Sequence, residues 1–319
     1  MRRLVEQLLD ILHAGVVAEL AVHPLGRLLA PPRQGDDQAF ALLSALLSTG
    51  IGSRAGRLLF SALFHATSFR QGHDTPYIPG VNVLVLQHIA CEPPGVYEDV
   101  MRERGLRIDR VELDEGEALP DWREYDAIVA MGGPMSVNDE AQLPWLKRER
   151  QVISDAVRAG KPYWGACLGV QLLAASLGAR VYAGPKPEVG ILPVTLTDEG
   201  LADPVLAGLP RELPTLQWHG DTFDLPEAAT RLAGSPAYPN QAFRFGSVAY
   251  GVQFHLEVSI RMAREWAEVP AYGEYLDRVL GPGSLPALIG DLEARSTEML
   301  GYGRRMFERW LDVASEKLE

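Results

Sequence analysis

The stretch Tyr163–Gln171 reads Tyr-Trp-Gly-Ala-Cys-Leu-Gly-Val-Gln and says most about the fold of this chain. Its apolar beginning predicts a short buried strand. The pattern Gly-x-Cys-x-Gly is typical of a nucleophile elbow, a tight strand-to-helix turn that exposes one side chain. The thiol of Cys167 would lie at a helix N-terminus, where partial positive charge favours the thiolate. The stretch therefore predicts a strand–nucleophile–helix unit, and a cysteine that merely packs at a tight turn is the competing interpretation.

Strand and helix patterns alternate around this stretch. Short apolar runs rich in β-branched residues are typical of parallel strands buried on both faces. The first predicted elements are strands over residues 81–86, 107–113, 125–131 and 161–166 and helices over residues 97–104 and 144–159. The alternation predicts an α/β fold, a doubly wound, mostly parallel sheet flanked by helices. More strands are predicted between residues 191 and 254, and helices of the same domain from about residue 259 to the end.

A breaker-rich segment, residues 72–80, precedes the first predicted strand and marks a boundary. Before it, leucines recur at helical spacing. We therefore expect a helical or partly disordered N-terminal extension over residues 1–80, of unknown role, and a single α/β domain over residues 81–319.

The composition argues against several classes of partner. The net charge of −12 disfavours nucleic acid, which normally binds a basic face. No run reaches the roughly 18 apolar residues of a membrane span. The two cysteines, Cys91 and Cys167, fit a reducing compartment and lack metal-site spacing. We therefore expect a cytoplasmic protein without a nucleic-acid, membrane or metal partner.

Residues 251–257 read Gly-Val-Gln-Phe-His-Leu-Glu and supply a candidate base and acid. His255 follows an apolar run, so it is expected at the carboxyl end of a strand, where open α/β sheets keep their sites. There it can exchange a proton with the thiol, while Glu257 holds the imidazole in the required tautomer. Gly132 and Gly133 end another predicted strand, and their N–H groups, paired with that of Leu168, can face a developing oxyanion; a simple strand-end turn is the competing interpretation.

Five motifs carry a resemblance to a known family. Residues 131–134, 165–171 and 251–257 resemble the hallmark motifs of class I (triad) glutamine amidotransferases. Residues 84–88 with 92–95, and residues 217–226, resemble the branch that contains the amidotransferase domain of GMP synthase. The resemblance covers about residues 81–258. It implies a flavodoxin-like fold and hydrolysis of the glutamine side-chain amide through a cysteine γ-glutamyl thioester, with no cofactor.

The resemblance also assigns roles to residues of this chain. The family's positions fall on the nucleophile Cys167, the base His255, the orienting acid Glu257, the oxyanion-hole residues Gly133 and Leu168, and the substrate-binding residues Gln171, Trp218 and His219. By the same comparison, His88 is expected to be an ordinary loop residue and Cys91 a packing residue.

The pathway stays open at this level. The chain contains neither a Ser-Gly-Gly-x-Asp-Ser loop nor a Gly-x4-Gly-Lys-Ser/Thr loop, so a complete GMP synthase is not expected. The leading hypothesis is a stand-alone amidotransferase-like enzyme that hydrolyses L-glutamine or passes ammonia to a separate synthetase subunit. A hydrolase of γ-glutamyl peptides or amines would use the same triad, and a non-catalytic regulatory or binding module is the third alternative.

Overall fold

The structure, a computed structural model, describes residues 80–318. The predicted N-terminal extension lies outside the described residues up to residue 79. The described part forms one nine-stranded sheet. Its strands are β1 (Asn82–Gln87), β2 (Arg107–Glu112), β3 (Ala127–Ala130), β4 (Tyr163–Ala166), β5 (Val181–Leu196), β6 (Glu212–Phe223), β7 (Ala229–Gly234), β8 (Ala242–Phe245) and β9 (Ala249–Val252).

Seven α-helices occur within residues 80–318. They are α1 (Val96–Glu103), α2 (Trp145–Arg158), α3 (Leu168–Ser176), α4 (Asp198–Ala202), α5 (Ile260–Glu268), α6 (Pro270–Leu280) and α7 (Leu285–Leu318). None of the helices in this part of the chain is both long and apolar enough to cross a membrane.

The sheet has the strand order β2-β1-β3-β4-β9-β8-β7-β5-β6. The first five strands in this order run parallel to one another. The remaining neighbours, from β9 to β6, pair antiparallel. The predicted α/β fold is confirmed, and the predicted parallel arrangement describes the half of the sheet that carries β4 and β9.

Alternating residues of the central strands point into two separate cores, one on each face of the sheet. Val83 and Val85 of β1 pack with residues of α1, α5 and α7, whereas Leu84 and Leu86 pack with residues of α2 and α3. This division follows from the two-residue period of a strand. The helices cover both faces of the sheet. Side chains can therefore meet a ligand at the carboxyl ends of the parallel strands, which the helices leave open.

The antiparallel half contains longer strands than the sequence indicates. β5 was expected to begin near residue 191, but it begins at Val181 and pairs with β6 along most of its length. Pro185 and Pro187 lie in the early part and lack the N–H group that a ladder uses. The register of the pair shifts between Ala183 and Glu188, which accommodates both prolines in an irregular stretch.

Candidate active site

Cys167 lies at the turn between β4 and α3, as the cap residue of that helix. Its φ of 51° is left-handed, a conformation that residues other than glycine rarely adopt. Its N–H donates to the carbonyl of Val252 at 2.8 Å, which ties the turn to β9. A Cβ atom at Gly169 would overlap the carbonyl oxygen of Ala130. The glycine after the thiol therefore lets α3 pack directly against β3 and helps to fix the strained turn.

His255 follows β9 and is held through both its backbone and its ring. It exchanges two backbone hydrogen bonds of 3.1 and 2.9 Å with Leu216. Its Nδ1 atom lies 2.6 Å from Oε1 of Glu257, whose Oε2 accepts the N–H of Leu256 at 3.0 Å. Trp266 packs edge-on against the imidazole, with 4.8 Å between the ring centroids. Since Nδ1 is bound to the carboxylate, Nε2 is the nitrogen that remains for proton transfer.

The charges around the imidazole oppose the effect of burial. Burial alone would lower the pKa of His255, because a charged ring loses its hydration in the interior. Attraction to the Glu257 carboxylate and interaction with Cys167 outweigh that loss, so the pKa of His255 lies well above its ordinary 6.5. The N-terminus of α3 adds partial positive charge beside the thiol. A charged imidazole beside the sulfur is the arrangement that activates cysteine nucleophiles.

Cys167 borders a cleft of about 450 Å³. All five residues predicted for the oxyanion hole or for substrate binding border the same cleft, namely Gly133, Leu168, Gln171, Trp218 and His219. His255 and Glu257 are each only 1% exposed, and neither of them borders the cleft. The structure thus brings the eight predicted residues together, with the thiol at the surface of the cleft and the imidazole–carboxylate pair behind it.

Gln171 reaches the thiol through a neighbour that the sequence analysis did not assign to the site. Its Nε2 atom donates to Oε1 of Gln253 at 3.0 Å, and Nε2 of Gln253 donates to Sγ of Cys167 at 3.6 Å. Gln253 thus connects the side chain of Gln171 to the sulfur. Gln253 precedes His255 by two residues on the same extended run, so the signal for this contact was its place within residues 251–257.

One wall of the cleft comes from α6, which lies in the predicted helical region but was not assigned to the site. Tyr272, Tyr275 and Arg278 recur at a spacing of three and border the cleft. The hydroxyl of Tyr272 donates to the buried carboxyl group of Glu92, and its ring packs against Trp218 with 6.0 Å between centroids. The spacing was visible in the sequence, but no local signal indicates that this helix packs over the cleft.

Cys91, the other cysteine, lies apart from the cleft wall and is half-buried. Burial, followed by the charge of Glu92, raises the pKa of its thiol to about 12. The thiol therefore stays protonated at neutral pH, in keeping with a packing role. Within residues 80–318, no group of three or more His, Cys, Asp or Glu side chains is arranged to hold a metal ion.

Comparison with known proteins places this geometry in a family. The family model "Glutamine amidotransferase class-I" matches residues 97–266, just over half of the chain. The chain is 36% identical over 177 residues to the glutamine amidotransferase-like protein YfeJ of Salmonella typhimurium. This alignment covers 54% of this chain and 74% of that protein. It is also 36% identical over 138 residues to a glutamine-hydrolyzing GMP synthase subunit of Sulfurisphaera tokodaii, covering 43% and 69% of the two chains.

Solved structures agree with the sequence comparison. A crystal structure of a glutamine amidotransferase from Thermotoga maritima superposes with a TM-score of 0.64 at 36% identity, over 72% of this chain and 97% of that one. A glutamine amidotransferase from Methylobacillus flagellatus gives a TM-score of 0.65 at 30% identity, over 73% and 94% of the two chains. On the strength of the matched domain and these relatives, the chain belongs to the class I glutamine amidotransferase family.

Proposed function

We propose that this chain hydrolyses the side-chain amide of glutamine through a γ-glutamyl thioester on Cys167, releasing glutamate and ammonia. The observation that carries the proposal is the buried pair of His255 and Glu257, 2.6 Å apart, behind a thiol that borders a cleft. A buried imidazole with a raised pKa beside a cysteine is expected at a catalytic site rather than at a packing position.

In the first half-reaction, the sulfur of Cys167 attacks the side-chain carbonyl carbon of glutamine. The electron pair of the C=O bond moves onto oxygen, where the N–H groups of Gly133 and Leu168 stabilise it. The N–H of Leu168 is suited to this because a helix leaves its first N–H groups without intrahelical partners. Imidazolium His255 then gives its Nε2 proton to the departing nitrogen, which leaves as ammonia.

In the second half-reaction, water attacks the thioester carbonyl while Nε2 of His255 takes its proton. Collapse of the tetrahedral intermediate releases glutamate and restores the thiolate of Cys167. Throughout both steps Glu257 keeps Nδ1 of the ring protonated and the charge of the imidazolium balanced. Gln171, Trp218 and His219 are proposed to hold the rest of the glutamine molecule, since they border the same cleft.

The fate of the ammonia is proposed from the relatives. The similarity to a protein named as one subunit of GMP synthase supports transfer of ammonia to a separate synthetase partner. A second candidate activity, hydrolysis of γ-glutamyl peptides or amines, is favoured by the charged side chains Asp139, Glu274 and Arg278 in the cleft. Ammonia needs no such partners as a leaving group, whereas a larger leaving group can use them.

The test measures glutamate release by the purified chain from L-glutamine and from a panel of γ-glutamyl peptides and amines, with Cys167→Ala as the matched control. Turnover of glutamine that disappears in the variant supports the proposal, and faster turnover of a γ-glutamyl amide supports the second candidate. Turnover unaffected by the substitution, or no turnover of any compound, would contradict catalysis and leave a binding module as the remaining interpretation.

A further inference from the structure

His88, expected to be an ordinary loop residue, is completely buried directly after β1. Its Nε2 atom lies 2.9 Å from Oε1 of Glu149 on α2, and its Nδ1 atom lies 3.1 Å from the carbonyl oxygen of Gly132. The ring also stacks on Trp145, with 5.8 Å between centroids. The imidazole therefore joins α2 to the loop after β3, which carries the proposed oxyanion-hole residue Gly133.

The partners of the ring fix where its protons are. A carbonyl oxygen only accepts, so Nδ1 of His88 must donate to Gly132. Nε2 faces Oε1 of Glu149 at 2.9 Å, a contact in which one proton is shared between the ring and the carboxyl group. Burial alone would lower the pKa of His88, but the Glu149 carboxylate and the Gly132 carbonyl raise it above the ordinary value. Both partners favour the charged form of the ring, and a charged ring makes a stronger hydrogen bond to the Gly132 carbonyl than a neutral one.

The bond to Gly132 acts on the adjacent N–H through the geometry of the peptide group. The C=O of Gly132 and the N–H of Gly133 belong to one planar trans peptide, in which they point in opposite directions. When the carbonyl is turned toward His88, the N–H is turned away from it, to the side where Gly133 borders the cleft with Cys167.

This peptide needs an anchor because it lies between two glycines. Without Cβ atoms, neither residue resists rotation of the peptide group sterically. Neighbouring side chains occupy the space that Cβ atoms on these two residues would need. A Cβ atom at Gly133 would meet the Cβ of His88 at 2.9 Å, and one at Gly132 would overlap the carboxyl group of Glu92. Substitution by larger residues is therefore blocked, and orientation depends on a hydrogen bond from outside the loop.

We propose that His88 is a positioning residue that holds the carbonyl of Gly132 and thereby directs the N–H of Gly133 toward the oxyanion. The inference rests on the glutamine hydrolysis proposed above. It adds a residue that touches neither the substrate nor the thiol, and it explains why a histidine is buried beside a carboxylate at this point of the fold.

Two substitutions separate the two nitrogens of the ring. In His88→Asn the amide nitrogen takes approximately the place of Nδ1, so the bond to Gly132 can persist. In His88→Gln the amide takes approximately the place of Nε2, so the bond to Glu149 can persist while the carbonyl of Gly132 loses its donor. Loss of one oxyanion-hole donor lowers kcat about 10²- to 10³-fold. We expect a kcat loss on the order of 10²-fold for His88→Gln and of less than about tenfold for His88→Asn, with little change in KM.

Alkylation of Cys167 by iodoacetamide separates positioning from general damage to the site. This displacement at saturated carbon forms no oxyanion, so its rate should be the same in the wild type and in both variants. Ile153→Ala, which removes buried side-chain volume one turn beyond Glu149 on α2 and leaves both contacts of His88 in place, is the control for lost stability and should keep its kcat. Equal kcat losses in the two His88 variants, or alkylation that slows in parallel with kcat, would overturn the proposal.

Crystal structures of the two variants supply a readout that does not depend on turnover. The proposal expects the 132–133 peptide to keep its orientation in His88→Asn and to rotate in His88→Gln. An unchanged peptide in His88→Gln overturns the proposal even if activity falls. If the wild type hydrolyses no γ-glutamyl compound, the proposed function fails, and the orientation of the peptide in His88→Gln still decides whether His88 holds it.

Discussion

Replacing Glu257 by Gln tests whether the buried carboxylate sets the protonation state of the base. The carboxylate binds Nδ1 of His255 at 2.6 Å and the N–H of Leu256 at 3.0 Å. A glutamine amide has the same shape and can still accept from Leu256, but its NH2 group then faces the imidazole. Nδ1 would have to accept, and the single proton would lie on Nε2, the nitrogen facing Cys167. Such a ring cannot take a proton from the thiol.

The size of the effect follows from the charges in the pair. Opposite unit charges about 4 Å apart attract by about 4 kcal/mol at an effective dielectric constant of about 20. Glu257 and His255 are both buried, so solvent screens little of this attraction. At roughly 1.4 kcal/mol per tenfold in rate, its loss predicts a decrease in kcat on the order of 10³-fold. Alkylation of Cys167 by iodoacetamide at neutral pH should slow as well, because the imidazolium that stabilises the thiolate is lost.

Asp203→Asn is the matched control for removing a buried carboxylate. Asp203 is 3% exposed and accepts from Arg244 at 2.9 Å and from the hydroxyl of Tyr250 at 3.2 Å. We expect this variant to lose stability, seen as a lower urea midpoint, while its kcat stays within about twofold of the wild type. If Glu257→Gln keeps more than a tenth of the wild-type kcat, or if Asp203→Asn loses as much, the reasoning about the buried pair is wrong.

Three further predictions concern the thiols and the domain. The free energy of unfolding in urea should be about 1 kcal/mol higher for Cys167→Gly than for Cys167→Ala, because only glycine adopts the left-handed backbone of this residue with little strain. Equal unfolding free energies of the two variants would argue against strain at this residue. Mass spectrometry after iodoacetamide treatment at pH 8 should find Cys167 alkylated and Cys91 unmodified, since burial and then Glu92 raise the pKa of the Cys91 thiol to about 12. A chain shortened to begin at Val81 should fold and keep the wild-type kcat, and insolubility would show that the domain needs earlier residues.

The sequence predicted those features that contiguous residues encode. The elbow at Cys167 and the run that ends in His255 and Glu257 each combine a strand pattern with polar residues at its end, so their placement follows from the parallel sheet. The contacts of His88 could not be predicted in this way. Its partners are 44 and 61 residues away in the chain, and an isolated histidine after a strand carries no local signal for either of them. The same holds for α6, whose place over the cleft depends on packing against distant aromatic residues.

The separate origins of the proposed reacting groups and of α6 bear on which substrates the proposed reaction can select. The proposed reacting groups follow β3, β4 and β9, and in the proposed reaction they act on the acyl half that glutamine shares with every γ-glutamyl compound. In the proposed reaction, the part of a substrate beyond the amide nitrogen would lie in the same cleft, which Tyr275 and Arg278 of α6 border together with Asp139 and Asp221. A cleft with both signs of charge can hold an amine and a carboxylate at once. α6 contributes no group to the proposed bond-breaking steps. Substitutions in α6 can therefore change the preferred leaving group and leave the thiol chemistry intact, so we expect selectivity to depend on α6 rather than on the triad.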